Sequence, residues 1–273
     1  MPVPSVETIS DALRPLTGRP QEAAVLCDID GTLAPIVERA EEAAVPEGTS
    51  RLLGRLARRY HVVACISGRG AAEARRIVGV GGIAYVGSHG AELLLPGQGQ
   101  AELVPAFATW RDRVREFALG KDSPELRMMR VRIEDKGPII AFHWRGARDD
   151  AAAQTRVQAI AAEAEGAGFL THWGRKVLEI RPPVPIDKGQ AVRELLRRTP
   201  VRAAVFGGDD VTDLDVFDVL GELRAEGALD AAVCVGVRSD EGPPAIVDRA
   251  DLVVEGPPGF VQVLEILAGS PPG

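Results

Sequence analysis

The sequence predicts an α/β protein: a Rossmann-like, doubly wound parallel sheet interrupted by a smaller α+β lobe. Three observations predict it. Short runs of small and β-branched apolar residues recur along the chain, and most of them stop abruptly at a polar residue. Segments with helical apolar spacing lie between these runs. Between residues 107 and 182 the rhythm changes, and strand-like pieces follow one another in pairs. Continuous apolarity over about five residues fits strands buried on both faces of a parallel sheet, and strands alternating with helices build a doubly wound sheet.

The expected strands are AAVLCDID (23–30), HVVACISG (61–68), IAYVGSHG (83–90), AAVFGGDD (203–210), AAVCVGV (231–237) and DLVVEG (251–256). Leu52, Leu53 and Leu56 mark a helix before the second; Ala191, Val192, Leu195 and Leu196 mark one before the fourth; Val261, Leu264 and Leu267 mark one at the end. The middle reads as a helix over 110–119, strands over 128–134 and 139–145 joined by a Lys136-Gly137-Pro138 turn, a helix over 149–165, and strands over 169–173 and 176–181. Meander-like connections there imply an antiparallel lobe. Proline clusters at 96–105 and 182–185 read as two linkers. They give a core of residues 1–106 and 183–273 and an inserted, hinged lid of residues 107–182.

Composition narrows the function classes. The 273 residues, 45% hydrophobic and 26% charged, describe an ordinary globular chain larger than one small domain. No apolar run approaches the ~18 to 20 residues that cross a bilayer, and the first 20 residues lack a basic start and an apolar signal core. The expectation is a cytoplasmic protein with no membrane partner. A net charge of -7, with no basic cluster beyond patches such as 55–59, excludes a nucleic-acid footprint. A small anion would need a local cation. Cys27, Cys65 and Cys234 each sit inside an apolar run without CxxC spacing and read as core thiols. No internal repeat occurs, and a monomer is expected.

In an open parallel sheet, ligands bind beyond the carboxyl ends of the strands. The residues found there are Asp28 and Asp30, Ser67, and Asp209 with Asp210. Each has a bland explanation alone: a turn dipeptide at Asp30-Gly31, a helix cap at Ser67, an N-cap pair at Asp209-Asp210. Their convergence, together with Lys188, points to chemistry. Acidic residues gathered at one sheet edge repel unless a hard divalent cation holds them, and Mg²⁺ takes carboxylate oxygens, waters and phosphate oxygens. A carboxylate can attack phosphorus while a neighbouring acid protonates the leaving oxygen and then activates water. Asp28 and Asp30 stand in that relation, with Gly31 allowing the turn between them. Ser67 and Lys188 would hold the phosphate oxygens.

DIDGT (28–32), Ser67-Gly68-Arg69, Lys188 in DKG and GDDVTD (208–213) resemble, in order and spacing, the four motifs of the haloacid dehalogenase-like phosphatases. The resemblance implies Asp28 as nucleophile, Asp30 as general acid/base, Ser67 and Lys188 as phosphate ligands, and Asp28, the Asp30 carbonyl and Asp209 as Mg²⁺ ligands. Asp213 would orient the metal's waters, and Asp210 would assist. GSHGAE (87–92), IEDKG (133–137), FHWR (142–145), KVLEIRP (176–182) and DKGQA (187–191) are further similar to the trehalose-6-phosphate phosphatases, over residues 22–268. That likeness implies hydrolysis of trehalose 6-phosphate through an aspartyl phosphate, with the inserted lobe closing as a cap. It places Glu134, Lys136, Lys176 and Glu179 on the distal glucose. His89, just after a strand end, is a candidate for lining the cleft, whereas His143 and His172 receive no role and Arg69 reads as support for the phosphate loop or a helix start rather than as a reacting group.

The rival expectations are another capped sugar phosphatase, acting on sucrose phosphate or a glycosyl-phosphoglycerate, and a catalytically idle sugar-phosphate sensor. A binding module has no use for an acid/base beside a nucleophile. Residues 79–84 fit G-x-G-x-x-A but precede a strand instead of following one, so they lack the dinucleotide mechanism. No GxxxxGK[ST], HExxH or GxSxG occurs.

Overall fold

The structure is a computed structural model and describes residues 4–37, 42–137, 139–174, 176–184, 187–239 and 242–269. Contacts divide the chain into two units, Met1–Glu102 with Ile186–Gly273, and Leu103–Pro185. The boundaries fall at 103 and 185 where the sequence places them at 107 and 182. Pro105, read as part of a linker, opens a helix instead, a position where its missing N–H costs nothing. Pro138 of the expected turn and Pro185 of the second proline cluster lie outside the described residues.

The larger unit is built on an eight-stranded sheet, of which only Leu103 in the last strand is counted with the smaller unit. Its strands are β1 (Ala23–Asp28), β2 (Val62–Ile66), β3 (Ala84–Gly87), β4 (Glu92–Leu94), β5 (Glu102–Leu103), β10 (Ala203–Gly208), β11 (Ala231–Arg238) and β12 (Leu252–Glu255), in the order β12-β11-β10-β1-β2-β3-β4-β5. From β12 to β3 all pairs are parallel, and β1 lies at the centre with Val25 level with Val205 and Val63. The β3–β4 pair is antiparallel, which the sequence reading did not anticipate. Only residues 88–91 separate these strands, far short of the dozen or so that a parallel crossover needs.

Why the runs are continuously apolar follows from the layers. Along β1, Ala23, Val25 and Cys27 pack against one helix layer, α1 (Val6–Gly18), α2 (Glu47–Arg59), α3 (Ala71–Val78) and α10 (Gly256–Ala268). Ala24 and Leu26 pack against the other, α7 (Lys188–Arg197), α8 (Leu214–Ala225) and α9 (Pro244–Arg249). Each Val, Leu or Phe so buried contributes about 1.5–3 kcal/mol. The three cysteines are buried in these layers; burial raises all three thiol pKa values, that of Cys234 to about 12, so they stay protonated.

The smaller unit has its own core. Its helices are α4 (Pro105–Leu119), α5 (Pro124–Met128) and α6 (Asp150–Gly166), and its sheet holds β6 (Arg132–Asp135), β7 (Ile140–His143), β8 (Leu170–Gly174) and β9 (Val177–Arg181) in the order β6-β7-β9-β8. All pairs are antiparallel, but β9 rather than β8 lies beside β7, so the sheet is not the expected meander. Met128, expected in a strand, closes α5, which Ser123 caps by accepting from the Leu126 amide at 3.3 Å. Ile140, Phe142, Leu178 and Ile180 share a buried cluster with Val114, Val157 and Ile160 of the helices. The strands' alternate residues therefore face the other way. Among the described residues, no helix is long and apolar enough to cross a membrane.

Candidate active site

The parallel strands of the larger unit bring the polar run-ends to one edge. Asp28 closes β1 and is level with Ile66, the residue before Ser67, while Cys27 is level with Gly207, close before Asp209. Asp28, Ser67, Lys188, Asp209 and Asp213 are all buried, none more than 4% exposed. Gly31, at φ +87°, makes the turn after Asp30, and a Cβ there would lie 2.0 Å from Asp209 Oδ2. Only glycine meets both demands.

Lys188 opens α7, whose N-cap Asp187 accepts the Gln190 amide at 2.6 Å. Its Nζ donates to Asp28 Oδ1 and to Asp213 Oδ1, both at 2.7 Å. Asp213 Oδ2 accepts the amides of Asp209 at 2.9 Å and Asp210 at 3.0 Å, so this carboxylate ties lysine and loop together. Thr32 donates to Asp209 Oδ1 at 2.9 Å. The Asp210 carboxylate turns back to its own loop, accepting from the Val211 amide at 2.6 Å in a capping box. It is a loop former here.

Asp28, Asp209 and Asp213 each offer a carboxylate oxygen, and these oxygens lie within 4.8 Å of one another. Three carboxylates face one ammonium. Burial raises the Asp28 pKa well above the usual range, against the pull of Lys188, and Asp213 and Asp209 add to the rise. Asp209 is pushed up to about 6 by burial, eased by the Thr32 hydroxyl and reinforced by Asp213. Burial works against the charge on Lys188, but Asp28 and Asp213 overcome it and hold the ammonium. An all-oxygen donor set with surplus negative charge suits a hard divalent cation. The trio includes Asp213, which the resemblance places behind the metal's waters; the Asp30 ligand expected from the sequence is a backbone carbonyl and so stands outside this set of carboxylates.

The Asp30 carboxylate is held by Arg69. Nε donates to Asp30 Oδ2 at 2.7 Å and Nη2 to Oδ1 at 2.9 Å, while Nη1 reaches Glu73 Oε1 at 2.7 Å. The Asp30 hydrogen bond is the main cause that raises the Arg69 pKa. The Arg69 amide donates to Ser67 Oγ at 3.1 Å. His89 lies in the loop after β3, where Ser88 and His89 both take positive φ, at 50° and 56°. Its ring sits against Gly68, 2.7 Å from where a Cβ would stand, so the structure brings His89 beside the Ser67 loop.

In the smaller unit, Glu134, Ala141, Glu179 and His172 are level across the four strands. Lys136 Nζ donates to Glu179 Oε1 at 3.1 Å, grouping Glu134, Lys136 and Glu179 on the sheet face opposite its core. His143 shares a hydrogen bond with Glu134 at 2.6 Å, and Arg181 donates to Glu179 at 2.6 Å. Burial raises the Glu179 pKa, but Arg181 and Lys136 more than offset it and leave it below the usual range. Lys176 stands apart from these three: it sits at φ 59° before β9 and pairs with Asp150 at 2.8 Å. Sequence reasoning gave His143 and Arg181 no place on this face, although the period-two alternation of β7 and β9 points both toward it.

The sequence model of the trehalose-phosphatase family matches residues 26–242. The chain belongs to that family. A trehalose-phosphate phosphatase of Mycobacterium avium is 36% identical over 233 residues, 78% of this chain and 56% of that one. A protein described as an uncharacterized glycosyl hydrolase of Mycobacterium tuberculosis is 35% identical over 230 residues, 79% of this chain and 17% of that one. This trehalose-phosphatase family chain thus spans about half the length of the first relative and under a fifth of the second. The C-terminal domain of C. albicans trehalose-6-phosphate phosphatase superposes with a TM-score of 0.66 at 21% identity, covering 99% of this chain and 98% of that one. A trehalose-6-phosphate phosphatase related protein superposes with a TM-score of 0.63 at 23% identity, covering 89% of this chain and 95% of that one, and these likenesses show the fold.

Proposed function

We propose that this chain hydrolyses trehalose 6-phosphate to trehalose and phosphate, with Mg²⁺ bound by Asp28, the Asp30 carbonyl and Asp209 and with Asp213 beside them. The observation that carries the reading is the buried Asp28 carboxylate, hydrogen-bonded to Lys188 and with an oxygen within 4.8 Å of oxygens of Asp209 and Asp213. When bound, the cation neutralises phosphate charge and polarises the phosphorus toward attack.

An Asp28 oxygen forms the new bond to phosphorus as the ester P–O bond breaks, and the Asp30 carboxyl gives its proton to the departing sugar oxygen. The Asp30 carboxylate then takes a proton from water as the water oxygen attacks phosphorus and Asp28 leaves. Lys188 and Ser67 hold phosphate oxygens, and the Lys188 ammonium balances the negative charge those oxygens carry. His89 lines the phosphate loop. Glu134, Lys136, Lys176 and Glu179 of the smaller unit recognise the sugar, whose many hydroxyls suit charged hydrogen-bonding partners.

The test is phosphate release from a panel including trehalose 6-phosphate, sucrose 6-phosphate and glucose 6-phosphate, with and without Mg²⁺. Highest kcat/KM on trehalose 6-phosphate is expected, with turnover lost in excess chelator and in Asp28→Asn. A preference for another sugar phosphate would overturn the substrate, and undiminished turnover in Asp28→Asn would overturn the mechanism.

A further inference from the structure

The geometry points to Arg69 as the residue that positions Asp30 for proton transfer, through a relay of three side chains running from Glu73 to Arg69 to Asp30. Both carboxylate oxygens of Asp30 are taken up by two nitrogens of one guanidinium, at 2.7 and 2.9 Å. A bidentate pair of this kind fixes the plane of the carboxyl as well as its distance. The side chain so held is still 35% exposed, whereas Arg69 is only 14% exposed, so the fixing comes from the buried side of the pair. A lysine would supply charge there without the plane.

Arg69 is itself held from several directions. Its third guanidinium nitrogen reaches Glu73 at 2.7 Å, and Glu73 lies in the first turn of α3. Its amide donates to Ser67 Oγ, and its carbonyl accepts from the Ser88 amide at 2.7 Å. The same short segment therefore carries a proposed phosphate ligand and the clamp on the proposed acid. Distances between the two are set by the backbone of residues 67–69. The guanidinium pairs with the carboxylate form of Asp30, which is the form left when the proton has gone to the sugar oxygen and the form that takes a proton from water afterwards. Arg69 acts through Asp30, as a positioning residue.

This inference rests on the phosphatase reading above, and its test is built on the leaving group. kcat/KM reports steps up to departure of the alcohol, where Asp30 gives its proton to the ester oxygen. An alkyl phosphate needs that proton. p-Nitrophenyl phosphate does not, because nitrophenolate leaves as a stable anion. General acid catalysis is worth on the order of 10²–10⁴-fold. Arg69→Ala is expected to lower kcat/KM for trehalose 6-phosphate about 30-fold or more, and for p-nitrophenyl phosphate less than about threefold. Glu73→Gln, which loosens the brace without touching Asp30, should show the same selectivity in smaller measure. In an Asp30→Asn background, Arg69→Ala should cost nothing further on the alkyl ester.

Equal losses on both esters would make Arg69 a phosphate ligand or a structural residue and overturn the inference, as would no loss at all. If Arg69→Ala fails to fold, the decision falls to Glu73→Gln on the same two esters. If the unaltered chain hydrolyses glucose 6-phosphate but not trehalose 6-phosphate, the substrate reading fails alone, and the comparison runs on glucose 6-phosphate. A chain that turns over neither ester class overturns both.

Discussion

At the scale of single residues, Asp209 shows how the site trades stability for charge. The folded chain holds its pKa at about 6, above the ordinary 3.8, because burial and neighbouring Asp213 disfavour the anion. Between those two values the folded state binds more protons than the unfolded one, so stability falls as pH rises through that window and stays reduced above it. Asp209→Asn should therefore stabilise the metal-free protein at pH 7.5 by on the order of 1–3 kcal/mol, a gain that disappears below about pH 4. Thermal unfolding in chelator at the two pH values measures it. Added Mg²⁺ is expected to stabilise the unaltered chain and not this variant, and affinity for the ion should weaken as pH falls through 6. Equal melting temperatures at pH 7.5 would show that the buried charge is not costly.

Residues of this kind were legible because they stop apolar runs. Asp28, Ser67 and Asp209 announce themselves by ending strands, and Lys188 by starting a helix after a capping aspartate. Partner choice was not legible. Nothing in residue spacing says that Arg69 reaches back 39 positions to Asp30, or that Lys176 turns to Asp150 instead of joining Glu179. Such choices depend on side-chain directions that only the assembled sheet and turns define.

At the scale of elements, the start of α7 is the piece on which the site leans. Gly189 follows Lys188, and a Cβ there would stand 2.3 Å from the backbone carbonyl oxygen of Asp215 in α8. Backbone cannot yield as a flexible side chain can, so the α7–α8 approach requires glycine. Gly189→Ala should push the first turn of α7 away from α8 and carry Lys188 off Asp28 and Asp213. The expected outcome is a loss of about 1–3 kcal/mol in thermal or urea unfolding, with kcat/KM reduced at least about tenfold on every phosphate ester. Full activity with full stability would mean that the two helices can part without moving the lysine. The elements that escaped the sequence reading did so for local reasons. Pro15 interrupts the apolar spacing of α1, although Leu13 and Leu16 on either side of it are fully buried. A five-residue helix such as α5 is too short to show a period, and its signal was the Ser123-Pro124 start.

At the scale of the whole molecule, the division of labour can be tested because the two kinds of residue lie in different units. Asp28, Asp30, Ser67, Lys188 and Asp209 belong to the larger unit, and Glu134, Lys136, Lys176 and Glu179 to the smaller. The larger unit has two hydrophobic clusters and the smaller unit one of its own, and Glu179, on the sheet face opposite the smaller unit's core, belongs to none of them. A small aryl phosphate presents phosphorus but no glucose. Glu179→Ala should then cut kcat/KM for trehalose 6-phosphate by about 10–100-fold, the worth of one or two charge-assisted hydrogen bonds, and change that for p-nitrophenyl phosphate less than about threefold. The variant also leaves Lys136 and Arg181 without their shared carboxylate, so its melting temperature must be read beside its kinetics. A parallel fall in both substrates with an unchanged melting temperature would place Glu179 in the common chemistry instead of in sugar recognition. A retained preference for trehalose 6-phosphate over other sugar phosphates would move recognition to other side chains of that face, first among them His143 beside Glu134.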